Sequence, residues 1–474
     1  MSNKYKKLTQ NTIIFTIGNL GSTLISFLLL PIFTNFLTAE QYGQIDFITI
    51  TITLLTPFIT LNIVEAILRF SVDKLYDKKS VFSTSIIMFL AIYLIVGLAI
   101  ISINCLFSAS HRLFQIWTLI AVGAIYPMFQ QFTRAIGENK LFAISDILYT
   151  AIFSSFNIIM ITVLRRGVEG YFISYIVANL ICIVFLGINA KLYRFIDLRK
   201  FNRNYLKEFL KYSLPMIPNS LSWWIMEVSD RYVITFFCGV STLGIYSVAN
   251  KIPMIIRNFY NIFYKAWQIS SFEESNSDEL GEFYSIIFKY LSLFLTLLGM
   301  IILTGLNIIS NILIGDKFKE AIYYIPILLI ALIFYCYSSF LGTVYTSLKK
   351  TKIILKTSIL CAIINLIINL LFIKTIGPII AAISTFISYF VLFIYRYIDV
   401  KKYLCIRINI KINVISFLMI ILQSIVLFII NNNILELCIS VVIIIIFICI
   451  NIKDIISIKN KFIKSDNKRA DSFR

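Results

Sequence analysis

Histidine is all but missing from this chain: His111 is the single one in 474 residues. It stands beside Arg112 between two apolar runs, where a solvated residue is expected and not a ligand. Charge is scarce too, with 14% charged residues against 59% hydrophobic, the composition of a membrane protein and not of a soluble core. Eight cysteines are present, Cys105, Cys182, Cys238, Cys336, Cys361, Cys405, Cys438 and Cys449, and no two form a CxxC pair. Most fall inside apolar runs and read as small buried hydrophobes, with no disulfide frame and no metal site. There is no DxD motif and no glycine-rich phosphate loop. No nucleophile rises above background, so no catalytic residue is named. The longest outer loop, about 309–321, is too short to house a catalytic site. These gaps argue against a glycosyltransferase or polymerase, and against an enzyme of any kind. The start KYKKLTQNTIIF is basic, but the apolar run after it is too long for a signal peptide and has no small-residue cleavage site. It is expected to stay attached as a first membrane helix.

What is present is hydrophobic length. Mean hydropathy is +0.87, and fourteen apolar runs are long enough to cross a bilayer. They lie at about 12–36, 44–68, 81–106, 114–135, 142–164, 168–190, 213–238, 244–268, 284–308, 322–348, 353–373, 377–397, 412–431 and 434–452. The expected fold class is therefore all-α, a polytopic membrane protein. A net charge of +19 would suggest nucleic acid in a soluble protein, but placement matters more than the sum. With the N-terminus inside, 30 of the 43 Lys and Arg fall on inner segments and 6 on outer loops. That split predicts both termini in the cytoplasm, with attraction to anionic membrane lipid and no nucleic-acid partner.

Against this background the seventh and eighth runs stand out, because they carry Glu227, Asp230, Arg231, Lys251 and Arg257. An ionisable group at membrane depth costs about 2.5–3.5 kcal/mol unless it meets water or a partner inside the bundle. Asp230 and Lys251 are expected at similar depth, where they can pair. Glu227 and Arg231 are four apart on one helix face and can satisfy each other. Asn250, Arg257, Asn261 and Lys265 form one polar stripe, with Arg257 near the midplane. Asn219 lies near the start of the seventh run. Structural locking is the bland alternative, but the density of polar groups favours a substrate cavity. Asp46 near the outer end of the second run, and Glu65 with Arg69 as an i, i+4 pair at its inner end, are secondary candidates.

The chain repeats. LTAEQYGQI (37–45) matches CGVSTLGIY (238–246) and superposes Gly43 on Gly244 at an offset of 201. The stretch 139–161 runs against 351–373 at an offset of 212, placing Lys140 on Lys352 and Asn157 on Asn369. Gly167 and Gly377 agree at 210. Six helices is an even number, so the halves share orientation and are related by a pseudo-two-fold axis along the membrane normal. The expected division is an N-lobe, 1–190, a basic cytoplasmic linker, 191–212, and a C-lobe, 213–398. Residues 399–474 hold two extra helices without charge in their cores and a basic tail.

The stretches YSLPMIPNSLSWW with SDRY, LGIYSVANKIP, TAEQYGQID and RAIGENK resemble the Wzx-type polysaccharide flippases of the superfamily that also holds MATE exporters and lipid II flippases. The resemblance covers nearly the whole chain. It implies two six-helix lobes around a cavity open alternately to each face of a bacterial inner membrane. It implies as cargo an undecaprenyl-pyrophosphate-linked oligosaccharide for O-antigen, capsule or related surface polysaccharide, and as partners a polysaccharide polymerase and chain-length machinery. No cofactor is implied, and the coupling gradient stays open between proton and sodium. Lipid II flippases carry several basic residues in the first helix, whereas none follows Lys7 here. A multidrug exporter would be expected to line its cavity with acids and aromatics. Both remain as alternatives.

Overall fold

In hydrocarbon every backbone N–H and C=O must find its partner within the chain, and the described residues do so as helices, with no strand among them. The computed structural model describes residues 25, 27–73, 75–107, 111–273, 280–348, 350–407, 410–430 and 432–471. Most of the first expected run, with Gly18, Asn19, Gly21 and Ser22, lies outside them, as does most of the acidic stretch around 274–279. Ten of the described helices are long and apolar enough to cross a membrane. They match ten of the fourteen expected runs, and the thirteenth supplies a shorter apolar helix, Asn413–Ile429. The seventh and eighth, which hold the charges, are absent from that set.

The chain packs as two compact units, 1–248 with 316–318, and 249–315 with 319–474. The first contains α1 (Leu30–Phe36), α2 (Ala39–Ile59), α3 (Ile63–Val72), α4 (Lys78–Phe107), α5 (His111–Ala135), α6 (Asn139–Asn157), α7 (Gly167–Asn189), α8 (Arg203–Ser213) and α9 (Ile217–Cys238). A capping box opens α2: Thr38 accepts from the Gln41 amide while the Gln41 side chain accepts from the Thr38 amide. Pro57 sits inside α2, and the helix stops at Thr60. Leu61 and Asn62 then adopt left-handed φ of 46° and 54° before α3 begins. The second expected run is thus two helices and not one. The tight turn between α5 and α6 depends on Gly137, whose φ of +99° disfavours any side chain.

The linker is stapled to the end of α4. Ser83 Oγ donates to the Phe195 carbonyl at 2.9 Å, and Thr84 Oγ1 accepts from the Asn202 amide at 3.0 Å. The α8 helix buries Phe209 and leaves its basic side outward. Lys79 stands 3.1 Å from Asp197, and this contact, with the Arg199 amide, holds the Asp197 carboxyl below the usual carboxylate range. A lowered folded-state value stabilises docking above the unfolded value, and the benefit is lost as pH falls through the folded one. Protease protection of 191–212 is expected to hold down to about pH 5 and to decline below about pH 4. An Asp197→Asn protein showing the same pH-dependent decline would exclude this contact as its cause.

The helix α10 (Val240–Lys251) runs from the first unit into the second. The second unit holds α11 (Met254–Glu273), α12 (Leu280–Thr304), α13 (Leu306–Leu313), α14 (Ile325–Ser347), α15 (Thr351–Ile376), α16 (Ile379–Val400), α17 (Ile410–Ile429) and α18 (Asn433–Asp471). The eighth run is broken between α10 and α11, where Pro253 lacks the N–H that would continue the ladder. The chain turns there through bonds from the Ile255 amide to the Ile252 carbonyl and from the Ile256 amide to the Pro253 carbonyl. The most buried of the long helices is α14. Phe334, Tyr337 and Phe340 on it pack with Trp267, Phe288 and Phe393.

Equivalent details recur in the two repeats. Gly167 and Gly377 both take positive φ, at 52° and 82°, the first opening α7 and the second just before α16. Asn157 and Asn369 are both fully buried, and the Oδ1 of each finds no partner among the described residues. The last two helices are less bland than expected. Glu436 on α18 is 1% exposed and accepts from Asn307 and Ser440, so α18 does bury a carboxyl group. Gln423 on α17 donates to the Met300 carbonyl on α12 at 3.0 Å. Cysteines also divide: Cys182, Cys336 and Cys361 are buried, but Cys405, Cys438 and Cys449 are exposed.

Candidate functional site

The repeat offset of 201 becomes a physical contact in the first unit. Gly43 on α2 and Gly244 on α10 let two backbones touch. A Cβ on Gly43 would stand 1.9 Å from the Val240 carbonyl oxygen, and one on Gly244 would stand 1.9 Å from the Ala39 carbonyl oxygen. Val240 is the repeat equivalent of Ala39, so the contact is reciprocal, as across a two-fold axis. Ser247 is the equivalent of Asp46, and its Oγ donates to Asp46 Oδ2 at 2.7 Å.

Charge gathers on the same crossing. Arg231 on α9 lies seven residues before the helix end, and Asp46 lies seven after the start of α2, each roughly 10 Å along its helix. Arg231 Nη1 donates to both Asp46 oxygens, at 2.8 and 3.1 Å, and the two side chains are only 14% and 15% exposed. Asp230 is buried and accepts from the Tyr246 hydroxyl at 2.5 Å and from the Arg231 amide at 2.8 Å. Further along, the Thr51 and Tyr232 hydroxyls meet at 2.6 Å, and Trp224 Nε1 donates to the Ile50 carbonyl at 3.1 Å. Phe318 packs edge-on to Tyr42 beside this crossing, with centroids 5.8 Å apart. Arg231 therefore holds Asp46 through its guanidinium and Asp230 through its backbone amide, in a largely dry site. Arg231 Nε is buried with no hydrogen-bond partner among the described residues, an imperfection that keeps the closure from being maximally stable.

These placements revise several expectations. Arg231 was expected to pair with Glu227 one turn back on the same helix; its short contact is to Asp46, which the crossing of α2 and α9 brings opposite it. Asp230 was matched with Lys251 because the two were counted to similar depth below the outer face, and its close described partners are Tyr246 and Arg231. Arg69 was paired with Glu65, but it lies 3.6 Å from Asp73, whose extended backbone at the end of α3 turns the carboxylate toward the last turn. Glu65 and Arg69 instead line a cavity of about 440 Å³ with Arg134, Asn139 and Tyr212. The Asn219 side chain lies outside the described residues.

In the second unit, Asn250 and Lys251 end α10, with Lys251 exposed, and Arg257 and Asn261 lie four apart on α11. The Arg257 guanidinium lies over the Tyr335 ring, 5.3 Å from its centroid. Sequence reasoning missed Arg396. It is 4% exposed and is held by the Ser338 carbonyl at 2.8 Å and the Thr357 and Ser358 hydroxyls. The missed Tyr246 and Ser247 had a signal, since the offset of 201 already placed Ser247 on Asp46. Among the described residues no cluster of His, Cys, Asp and Glu is fit to hold a metal ion.

Solved structures share this all-helical fold. The lipid II flippase MurJ in an inward closed conformation superposes with a TM-score of 0.66 at 17% identity, over 94% of this chain and 100% of that one. An inward-facing multidrug resistance MATE family transporter of the MOP superfamily gives 0.61 at 16%, over 82% of this chain and 98% of that one. At such identities the likeness is one of fold. The family model described as polysaccharide biosynthesis protein matches residues 8–268, more than half of the chain, and the chain belongs to that family. An uncharacterized membrane protein of Methanocaldococcus jannaschii is 25% identical over 239 residues, 47% of this chain. The chain spans about half the length of that relative, 46%.

Proposed function

We propose that this protein is a flippase that carries an undecaprenyl-pyrophosphate-linked oligosaccharide from the inner to the outer leaflet of a bacterial cell membrane by alternating access. Family membership supports the polysaccharide assignment. The observation that carries the transport reading is the glycine crossing closed by the Asp46–Arg231 pair. In this reading the close backbone contact, latched by one buried ion pair, switches between two discrete states, packed and parted, as alternating access needs. The breaks at Thr60–Asn62 and Ile252–Pro253 support it, since discontinuous membrane helices recur where transporters bind cargo. The repeat halves, 1–190 and 213–398, are the moving lobes in this reading, and a proton or sodium gradient is the drive.

Arg257 is the residue assigned to the pyrophosphate. A guanidinium meets two phosphate oxygens at once, and an ammonium meets them only as a point charge. In proteoliposomes loaded with a pyrophosphate-linked oligosaccharide, Arg257→Ala is expected to abolish flipping, while Arg257→Lys keeps part of it. Ordinary flipping by a well-inserted Arg257→Ala protein would return Arg257 to a packing role. Transport of lipid II or of drug cations in preference to the oligosaccharide would overturn the cargo assignment and favour the activity of a structural neighbour.

A further inference from the structure

The loop that leaves α16 builds a second basic site, one that the flippase reading does not use. Tyr397, Lys401, Cys405, Ile406 and Arg407 line a cavity of about 390 Å³. Two cations and no carboxylate line it. The nearby acid, Asp399, is already engaged: it accepts from the Tyr345 hydroxyl and from Lys402 Nζ, both at 2.9 Å. The Lys401 ammonium rests on the Tyr397 ring, 4.1 Å from its centroid.

The backbone of this loop is held in place. Tyr403 and Leu404 amides donate to the Val400 carbonyl, and the Ile406 amide donates to the Leu404 carbonyl, each at 2.9 Å. The Arg407 amide donates to Ser285 Oγ on α12 at 2.9 Å. Gly281 admits the loop so closely that a Cβ there would stand 2.7 Å from the Cys405 carbonyl oxygen. Ile406 is buried as an anchor. Arg407 and Lys401 therefore project from a fixed frame.

The helix face that leads to Lys401 carries exposed apolar side chains. Ile394 and Ile398 lie seven and three residues before Lys401 on the same stripe of α16, and they are 37% and 60% exposed. This end of the unit also carries Lys350 and Lys402, which makes it the end that the positive-inside rule assigns to the cytoplasm. An exposed aliphatic stripe that leads into a pre-formed basic cavity at the membrane boundary matches one chemistry, an acyl chain joined to a phosphate. We propose that this cavity binds the headgroup phosphate of an anionic phospholipid of the inner leaflet, with Lys401 and Arg407 as its ligands and Ile394 and Ile398 against its chain.

Native mass spectrometry of the full chain in detergent, titrated with phosphatidylglycerol or phosphatidylcholine, tests this. The wild-type protein is expected to retain phosphatidylglycerol in preference. Lys401→Gln with Arg407→Gln is expected to weaken that retention by about 100-fold, from roughly a tenfold loss for each charge-assisted contact to the phosphate. Arg203→Gln with Lys207→Gln, on the linker, serves as a matched control and should change it less than about threefold. Unchanged retention by the first pair, or an equal loss in the control pair, overturns the site, because surface charge in general would then be responsible. Inorganic phosphate added alone distinguishes the source of the anion. Its failure to displace the lipid supports a headgroup held together with its chain, and full displacement overturns the lipid assignment.

Discussion

A single methyl group on Gly43 is expected to part α2 from α10 and cost the protein its packed state. The new Cβ would meet a carbonyl oxygen at 1.9 Å and its carbon at 2.9 Å. Both are backbone atoms and neither can rotate away. Over-packing of a rigid contact costs about 1–3 kcal/mol, occasionally more, and at about 3 kcal/mol the ratio of packed to parted forms falls roughly 150-fold. Gly244→Ala should behave alike, because the contact is reciprocal. Gly187→Ala should be silent, since its nearest neighbour is Phe129 at 4.0 Å. The measurement is labelling of a Ser247→Cys probe, in a chain otherwise free of cysteine, by a maleimide that does not cross membranes. Ser247 is 2% exposed, so the probe should be protected until Gly43→Ala is added. Continued protection in the Gly43→Ala protein would mean that the crossing tolerates a side chain and is no hinge point.

Much of the fold was legible because hydrocarbon leaves few options: long apolar runs become helices, and ten of the fourteen expected runs are matched by described helices long and apolar enough to cross a membrane. Where the reading failed, local geometry had outweighed hydropathy. Hydropathy averages over the break at Leu61–Asn62, which rests on left-handed backbone, and over the one at Pro253. Ion pairs were assigned by sequence spacing, which favours neighbours on one helix, so Arg231 was given to Glu227 and Arg69 to Glu65. Across helices spacing carries no such information. The internal repeat does, because residues near a two-fold axis meet their own equivalents. Gly43 with Gly244, and Asp46 with Ser247, followed from an offset that had been used only to count halves. Arg396 was invisible for another reason: its partners are hydroxyls and a carbonyl on two other helices, and no acidic residue marks the place.

Breaking the Asp46–Arg231 pair is expected to cost more from the basic side than from the acidic one. Removing one member of a buried pair costs about 3–5 kcal/mol, because the partner keeps its charge without compensation. In Asp46→Asn the new amide oxygen still accepts from the guanidinium, and Asp230 remains beside Arg231 as a counter-charge. In Arg231→Gln two carboxylates, Asp46 and Asp230, are left in one largely dry site with hydroxyls as donors and no cation among their close described partners. Like charges that close repel strongly at low dielectric, so Arg231→Gln should sit at the upper end of that range and Asp46→Asn at or below the lower. The double change Asp46→Asn with Arg231→Gln removes one acid together with the cation, so it should recover a large part of the loss. Denaturation of the purified proteins in detergent gives the three values, and their non-additivity is the coupling of the pair. A double variant that loses the full sum of the two single losses would show that Asp46 and Arg231 act independently, and the latch would have to rest on the glycine crossing alone.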